Sequence, residues 1–223
     1  RGEAAPSQSV GTIYGYGDNV TVKNLTIDGM TIDYTAQPSV DSNEYHAFGA
    51  LAGFVGDRFT AENVTVRHVT MNLNLLGEQG NAYNSVHLLP AECIGGLVGY
   101  AKGTVTLTGC KVENMTVNVT DKNDNGGTQF LIGGLIGYAD ALYTPYDAEG
   151  NWADNNDYRG NGSVTITGCK VEDMTVNKNH AAGASVGGFL GGIGKRVVSK
   201  TGTEYSVTTN INATNTFPEG FEN

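Results

Sequence analysis

Four aromatic side chains, Tyr143, Tyr146, Trp152 and Tyr158, crowd one acidic, amide-rich stretch, DALYTPYDAEGNWADNNDYRGN (140–161), which holds the only tryptophan of the chain. Aromatic faces beside Asp and Asn suit sugar rings, which present C–H faces and hydroxyls together, and aromatics also anchor protein interfaces. This insertion is therefore the candidate ligand-binding surface, for a glycan or a protein. The plainer alternative is that its rings fold back over the scaffold and keep a long loop ordered. A second stretch, DKNDNG, places Asp121, Asn123 and Asn125 at alternate positions, as in the first half of a calcium-binding D-x-[DN]-x-[DN]-G loop. Its twelfth position is Ile132, where a bidentate Glu is needed, so it reads as a solvated turn, with Ca²⁺ only if another loop completes the site. No other cofactor or metal is implied. His46, His68, His87 and His180 lack the i, i+4 spacing of metal ligands, and three cysteines make no disulfide framework.

These groups must be carried by a repeating scaffold. Five Gly-x-x-x-Gly boxes, GTIYG, GALAG, GGLVG, GGLIG and GGFLG, begin at Gly11, Gly49, Gly95, Gly133 and Gly187. Thr/Val-rich segments of similar wording follow the first four, and the fifth is degenerate, as a terminal layer of a stack should be. Each copy divides into three extended pieces: the box itself, a VTV-type stretch and an MTV-type stretch. Period-two alternation is plain, with Val105 and Leu107 on one side and Thr106 and Thr108 on the other. No window sustains helical apolar spacing, so helix should be scarce. Three short strands in ~25 residues make one coil of a parallel β-helix, with coils ~4.8 Å apart. The expected fold is all-β, a right-handed single-stranded parallel β-helix of about five coils forming one domain over 1–223. Its repeat cores lie near 11–34, 49–73, 95–119, 133–177 (with the insertion 140–161) and 187–216.

Laid over one another, the copies give columns. Leu25, Val64, Cys110 and Cys169 share an inward position, followed by Ile27, Val66, Val112 and Val171. Met30, Val69, Met115 and Met174 make a third column, and Ile32, Met71, Val117 and Val176 a fourth. Between those two, Thr31, Thr70, Thr116 and Thr175 should form an outward ladder. Asp28, Arg67, Glu113 and Glu172 align in a bend, and Lys111 and Lys170 are placed to relieve the repulsion between the two glutamates. Cys110 and Cys169 should be reduced thiols in adjacent coils, and Cys93 a core residue. The box glycines should serve close packing at a bend or a positive φ. Asn19, Asn24, Asn63, Asn114, Asn118, Asn161 and Asn212 open N-x-[ST] sequons, read as turn asparagines before Thr-rich strands rather than glycosylation sites.

Composition narrows the partners. The net charge is −10, which opposes a phosphate-backbone ligand, so no nucleic acid is expected. Apolar residues make up 39%, enough for a continuous core, and no run approaches the ~18 consecutive apolar residues of a spanning helix. The Arg-Gly-Glu start, without Met or an apolar leader, reads as a mature or excised piece.

GGLVG at 95–99 and GGLIG at 133–137, with GALAG and GGFLG more loosely, resemble the GLUG repeat (Gly-Leu-any-Gly) of bacterial surface proteins, including adhesins. With the strands that follow, the resemblance covers most of residues 11–215, and the long insertions depart from the family's short spacing. It implies a β-helical stalk or display module, extracellular or at the bacterial cell surface, meeting host or bacterial glycan or protein, and it carries no catalytic residues. The competing expectation is a carbohydrate-active β-helix. A hydrolase needs two facing carboxylates, and Glu113 and Glu172 stand close enough, but they belong to the repeat rather than breaking it. The expected function is non-catalytic: adhesion, display or spacing.

Overall fold

The computed structural model describes residues 8–35, 46–75, 92–121, 130–140, 163–178, 184–193 and 208–216. All of its regular structure is β, and all of the strand pairing is parallel. Five coils follow in order. The first holds β1 (Gln8–Val10), β2 (Tyr14–Lys23) and β3 (Thr26–Thr35), and the second β4 (His46–Gly49), β5 (Ala52–Glu62) and β6 (Thr65–Leu75). The third holds β7 (Glu92–Gly95), β8 (Val98–Lys102), β9 (Thr104–Thr108) and β10 (Lys111–Asp121). The fourth holds β11 (Phe130–Gly133), β12 (Ile136–Asp140) and β13 (Ser163–Lys178), and the fifth β14 (Ala184–Gly187), β15 (Leu190–Ile193) and β16 (Thr208–Thr216). One sheet runs β1-β4-β7-β11-β14, and a second, eleven-stranded sheet carries the remaining strands. This is a parallel β-helix.

The columns read from sequence are the pairing register. Val66, Val112 and Val171 stack on Ile27, and Thr70, Thr116 and Thr175 on Thr31. Burial alternates along β9 and β10, so Val105, Leu107, Val112, Met115 and Val117 are fully buried while the threonines between them are not, whereas β4, β7, β8 and β11 are buried at every position. One apolar cluster runs lengthwise from Val20 in the first coil to Met174 in the fourth, with Val186, Phe189 and Leu190 of the fifth packed against it. Such an interior exists only because coils cover one another; no coil encloses its own apolar face.

The glycine box plays a different part from the strand expected of it. It is a corner. Its first glycine ends a strand of the smaller sheet, two residues bend, and the last two positions open a strand of the larger one. The two sheets meet back to back at the second box glycine. A Cβ on Gly99 would stand within 3.0 Å of backbone atoms of Phe48, Cys93 and Gly53, and Gly137 is enclosed in the same way by Ile94, Gly99 and Cys93. Close approach, and not positive φ, is what demands glycine there.

Positive φ occurs instead at three bends in each of the first three coils and, among the described residues, at two in the fourth, in register. One column holds Asn24, Asn63, Gly109 and Gly168, and another Gly29, His68, Asn114 and Asp173. Asn19, Asp57 and Gly103 lie at the bend that follows the box strand. Asn and Asp tolerate the left-handed region better than other side chains do. Of the sequon asparagines, 24 and 63 are thus turn residues between strands, 19 and 114 make positive-φ bends within β2 and β10, and Asn118 continues β10.

Candidate functional site

Tyr143, Tyr146, Trp152 and Tyr158 lie outside the described residues, as do Asn123 and Asn125. Asp121 closes β10, opposite Leu75 of β6. The described residues instead show a site on the outer face of β3, β6, β10 and β13. Along it, Thr31, Thr70, Thr116 and Thr175 form one file, and two residues on, Asp33, Asn72, Asn118 and Asn177 form another. The second file is hydrogen-bonded along its length. Asn72 Nδ2 donates to Asp33 Oδ1 at 2.7 Å, Asn118 Nδ2 to Asn72 Oδ1 at 2.7 Å, and Asn177 Nδ2 to Asn118 Oδ1 at 2.8 Å. The chain of amides has a direction and ends on a carboxylate in the first coil. An amide carries two N–H donors and two acceptor positions, so each asparagine retains hydrogen-bonding capacity toward solvent after serving the ladder. The face is a regular array of hydroxyls and amides repeating every ~4.8 Å.

A charged border runs beside it. Arg67 lies 2.8 Å from Asp28 Oδ2, and His68 Nδ1 lies 2.7 Å from Asp28 Oδ1. Hydrogen bonds from His68 and Arg67 hold the Asp28 carboxyl below its usual pKa, and the same contact raises Arg67. Lys111 reaches Glu113 at 2.7 Å and Glu172 at 3.2 Å, and Lys170 also pairs with Glu172. Glu172 is lowered by Lys170 and then by Lys111, and Lys111 is raised by the two glutamates it bridges. The two lysines relieve the glutamate column as their spacing implied. Glu113 and Glu172 are thereby held in ion pairs that belong to the repeat.

Two further clusters stand apart from this face. Tyr16, Phe54, Tyr100 and Tyr138 stack coil upon coil, with ring centroids 5.3, 5.2 and 5.3 Å apart. Lys102 Nζ stands 5.7 Å from the Phe54 ring and 5.8 Å from the Tyr100 ring, and Tyr100 donates to Asp140 Oδ2 at 3.1 Å. Cys93, expected as a core residue, is fully buried here with Ala47, Phe54 and Tyr100. The glycine corner divides the interior, and Cys93 points to its outer side. The second cluster is a buried pair, His46 Nδ1 to Glu92 Oε1 at 2.9 Å, with Tyr34 against the His46 ring.

The amide file and the aromatic stack were both present in the sequence as unexploited columns. Asp or Asn recurs two residues after each ladder threonine, and Tyr or Phe follows the second box glycine in four copies. The His46–Glu92 pair had no such signal, because it precedes the boxes in stretches that do not repeat. Among the described residues no group of three or more His, Cys, Asp and Glu side chains is placed to hold a metal ion. Comparisons with family models, with curated proteins and with solved structures gave no match.

Proposed function

We propose that this chain is a non-catalytic surface module of the GLUG-repeat type, exported to a bacterial cell surface for adhesion, display or spacing. The observation that carries the reading is the amide and hydroxyl array on β3, β6, β10 and β13, whose polar groups repeat coil by coil instead of converging on one point. Catalysis asks for convergence: a reacting atom within reach of an acid, a base and a charge stabiliser at once. Spacing and adhesion ask for a stiff body with many equivalent weak contacts, which a stacked sheet supplies. Glycans and polar protein surfaces, rich in hydroxyl and amide groups, match that chemistry. The aromatic insertion at 140–161 adds the stacking faces an ordered array of Thr and Asn lacks, so Tyr143, Tyr146, Trp152 and Tyr158 are assigned the recognition step.

The test pairs a glycan array with a turnover assay. Retention on a subset of glycans, lost in Trp152→Ala and undiminished in Glu113→Gln, is the expected result. Release of unsaturated or reducing sugar from a polysaccharide panel, abolished in Glu113→Gln or Glu172→Gln, would overturn it in favour of a carbohydrate-active enzyme.

A further inference from the structure

We propose that Cys110 and Cys169 are a peroxide-responsive dithiol that closes into a disulfide between the third and fourth coils. Thr108 pairs with Thr167 and Lys111 with Lys170, which sets the two cysteines one above the other behind the same bend. Both are free thiols. The Cys110 N–H donates to the Cys169 sulfur at 3.3 Å, so Cys169 leans toward its neighbour. The Cys110 sulfur stands 3.4 Å from the Ala61 carbonyl oxygen and 3.6 Å from that of Thr108, and the Cys169 sulfur 3.6 Å from that of Thr167. Adjacent parallel strands are ~4.8 Å apart, inside the Cα separation a disulfide accepts, so side-chain rotation can bring the sulfurs together.

The same bend in the first two coils is built otherwise. There the bend residues are Asn24 and Asn63, with Asn63 Nδ2 donating to Asn24 Oδ1 at 3.3 Å, and the residues behind them are Leu25 and Val64. In the third and fourth coils the bend residues are Gly109 and Gly168, both exposed. A Cβ added to Gly168 would meet nothing closer than 4.0 Å. Cys110 and Cys169 are 1% and 2% exposed, behind bends that carry no side chain of their own, with the Asn63 amide beside Gly109 and open space at Gly168. A small uncharged hydroperoxide can pass where a protein thiol cannot.

The pair is also polarised. A hydrogen bond from Cys110 stabilises the Cys169 thiolate and lowers its pKa, with the Cys110 N–H adding to the effect, while the same bond and burial raise Cys110. Cys169 is therefore the attacking sulfur. Its thiolate attacks hydrogen peroxide; an S–O bond forms as the O–O bond breaks, and the departing hydroxide takes a proton to leave as water. Cys110 then loses its proton and attacks the Cys169 sulfenic acid. The S–S bond forms, the S–O bond breaks, and a second water leaves. Two thiols and one peroxide yield one disulfide and two waters, the two electrons passing from sulfur to oxygen.

The test uses the reduced full chain, treated with hydrogen peroxide, alkylated and digested without reductant. The expected product loses two hydrogens and links the Cys110 and Cys169 peptides, while Cys93 remains a thiol; burial, then Glu92, raises the Cys93 pKa. In Cys110→Ser, dimedone should trap a sulfenic acid on Cys169; in Cys169→Ser, Cys110 should give neither adduct nor disulfide. Circular dichroism checks that both variants fold. If either does not, alkylation of the untreated native chain decides: Cys169 should react at least about tenfold faster than Cys93, as one pKa unit changes thiolate fraction tenfold. Equal rates, dimedone capture on Cys93, or a chain that stays a dithiol would overturn the proposal. None of these outcomes bears on the surface-module reading, which binding alone decides.

Discussion

Tyr16 and Tyr100 occupy the same place in the first and third coils, each following the second box glycine, yet Tyr16 is 54% exposed and Tyr100 fully buried. The contrast runs through the whole layer. Ile13 is 46% exposed against 0% for Leu97, and Tyr14 39% against 0% for Val98. The box glycines and the tyrosine after them recur in both coils, so burial at these places belongs to the neighbours above and below. Stability in such a stack is a sum of interfaces, and an end layer has half as many as an inner one.

The strongest way to break this comparison is at the sheet-to-sheet contact. Gly99→Ala puts a Cβ within 3.0 Å of backbone on three other strands, none of which can retreat without unpairing. The variant should lose ~4 kcal/mol or more and fail to give a cooperative urea transition. Gly15→Ala, its first-coil counterpart, presses mainly on the Ser9 carbonyl oxygen at 2.9 Å and should retain the fold. Cavity formation comes next. Leu107→Ala in the third coil, where the side chain is fully buried, should cost about 3–5 kcal/mol by urea denaturation, and Ile32→Ala in the first coil nearer ~2 kcal/mol. Equal losses at the two positions would mean that the end coil is as enclosed as the middle. Gly29 separates strain from crowding, since its φ is +76° and nothing lies within 4 Å of an added Cβ. Gly29→Ala should therefore cost only ~1–2 kcal/mol, from backbone alone.

The smallest effect is electrostatic. The folded pKa of Asp28 lies below its ordinary 3.8, so its contribution is fully present above the unfolded value and is lost as pH falls through the folded one. Glu172 acts in the same direction from its ordinary 4.5. The urea midpoint should fall on acidification below about pH 4.5. In Asp28→Asn the decline should be shallower, with the Glu172 part left. An unchanged acid limb in Asp28→Asn would show that the Asp28–Arg67–His68 contact sets register without contributing stability.

The columns were legible because a parallel stack writes one residue per coil at each position, so Val66, Val112 and Val171 aligned before any coordinates did. The charged border was legible for the same reason, down to the bridging role of Lys111. The glycine corner was legible in part, since close packing at a bend was expected of the box glycines while the box itself read as a strand. A Gly-rich box reads equally as strand or bend in one dimension, and what selects the corner is the backbone of a different coil passing Gly99. Cys93, read as a core residue, is fully buried, in the smaller cluster beyond the corner. His46 and Glu92 lie 46 residues apart in non-repeating stretches, so only folding brings them together.

The most direct test of coil-on-coil stacking is solution NMR of the uniformly labelled chain, through contacts between backbone protons of Thr70, Thr116 and Thr175. Parallel in-register pairing predicts amide-to-Hα cross-peaks linking these three threonines in that order, with Val66, Val112 and Val171 linked likewise. Close Hα–Hα cross-peaks of antiparallel pairing, or the absence of any contact between Thr116 and Thr175, would contradict the shared interior.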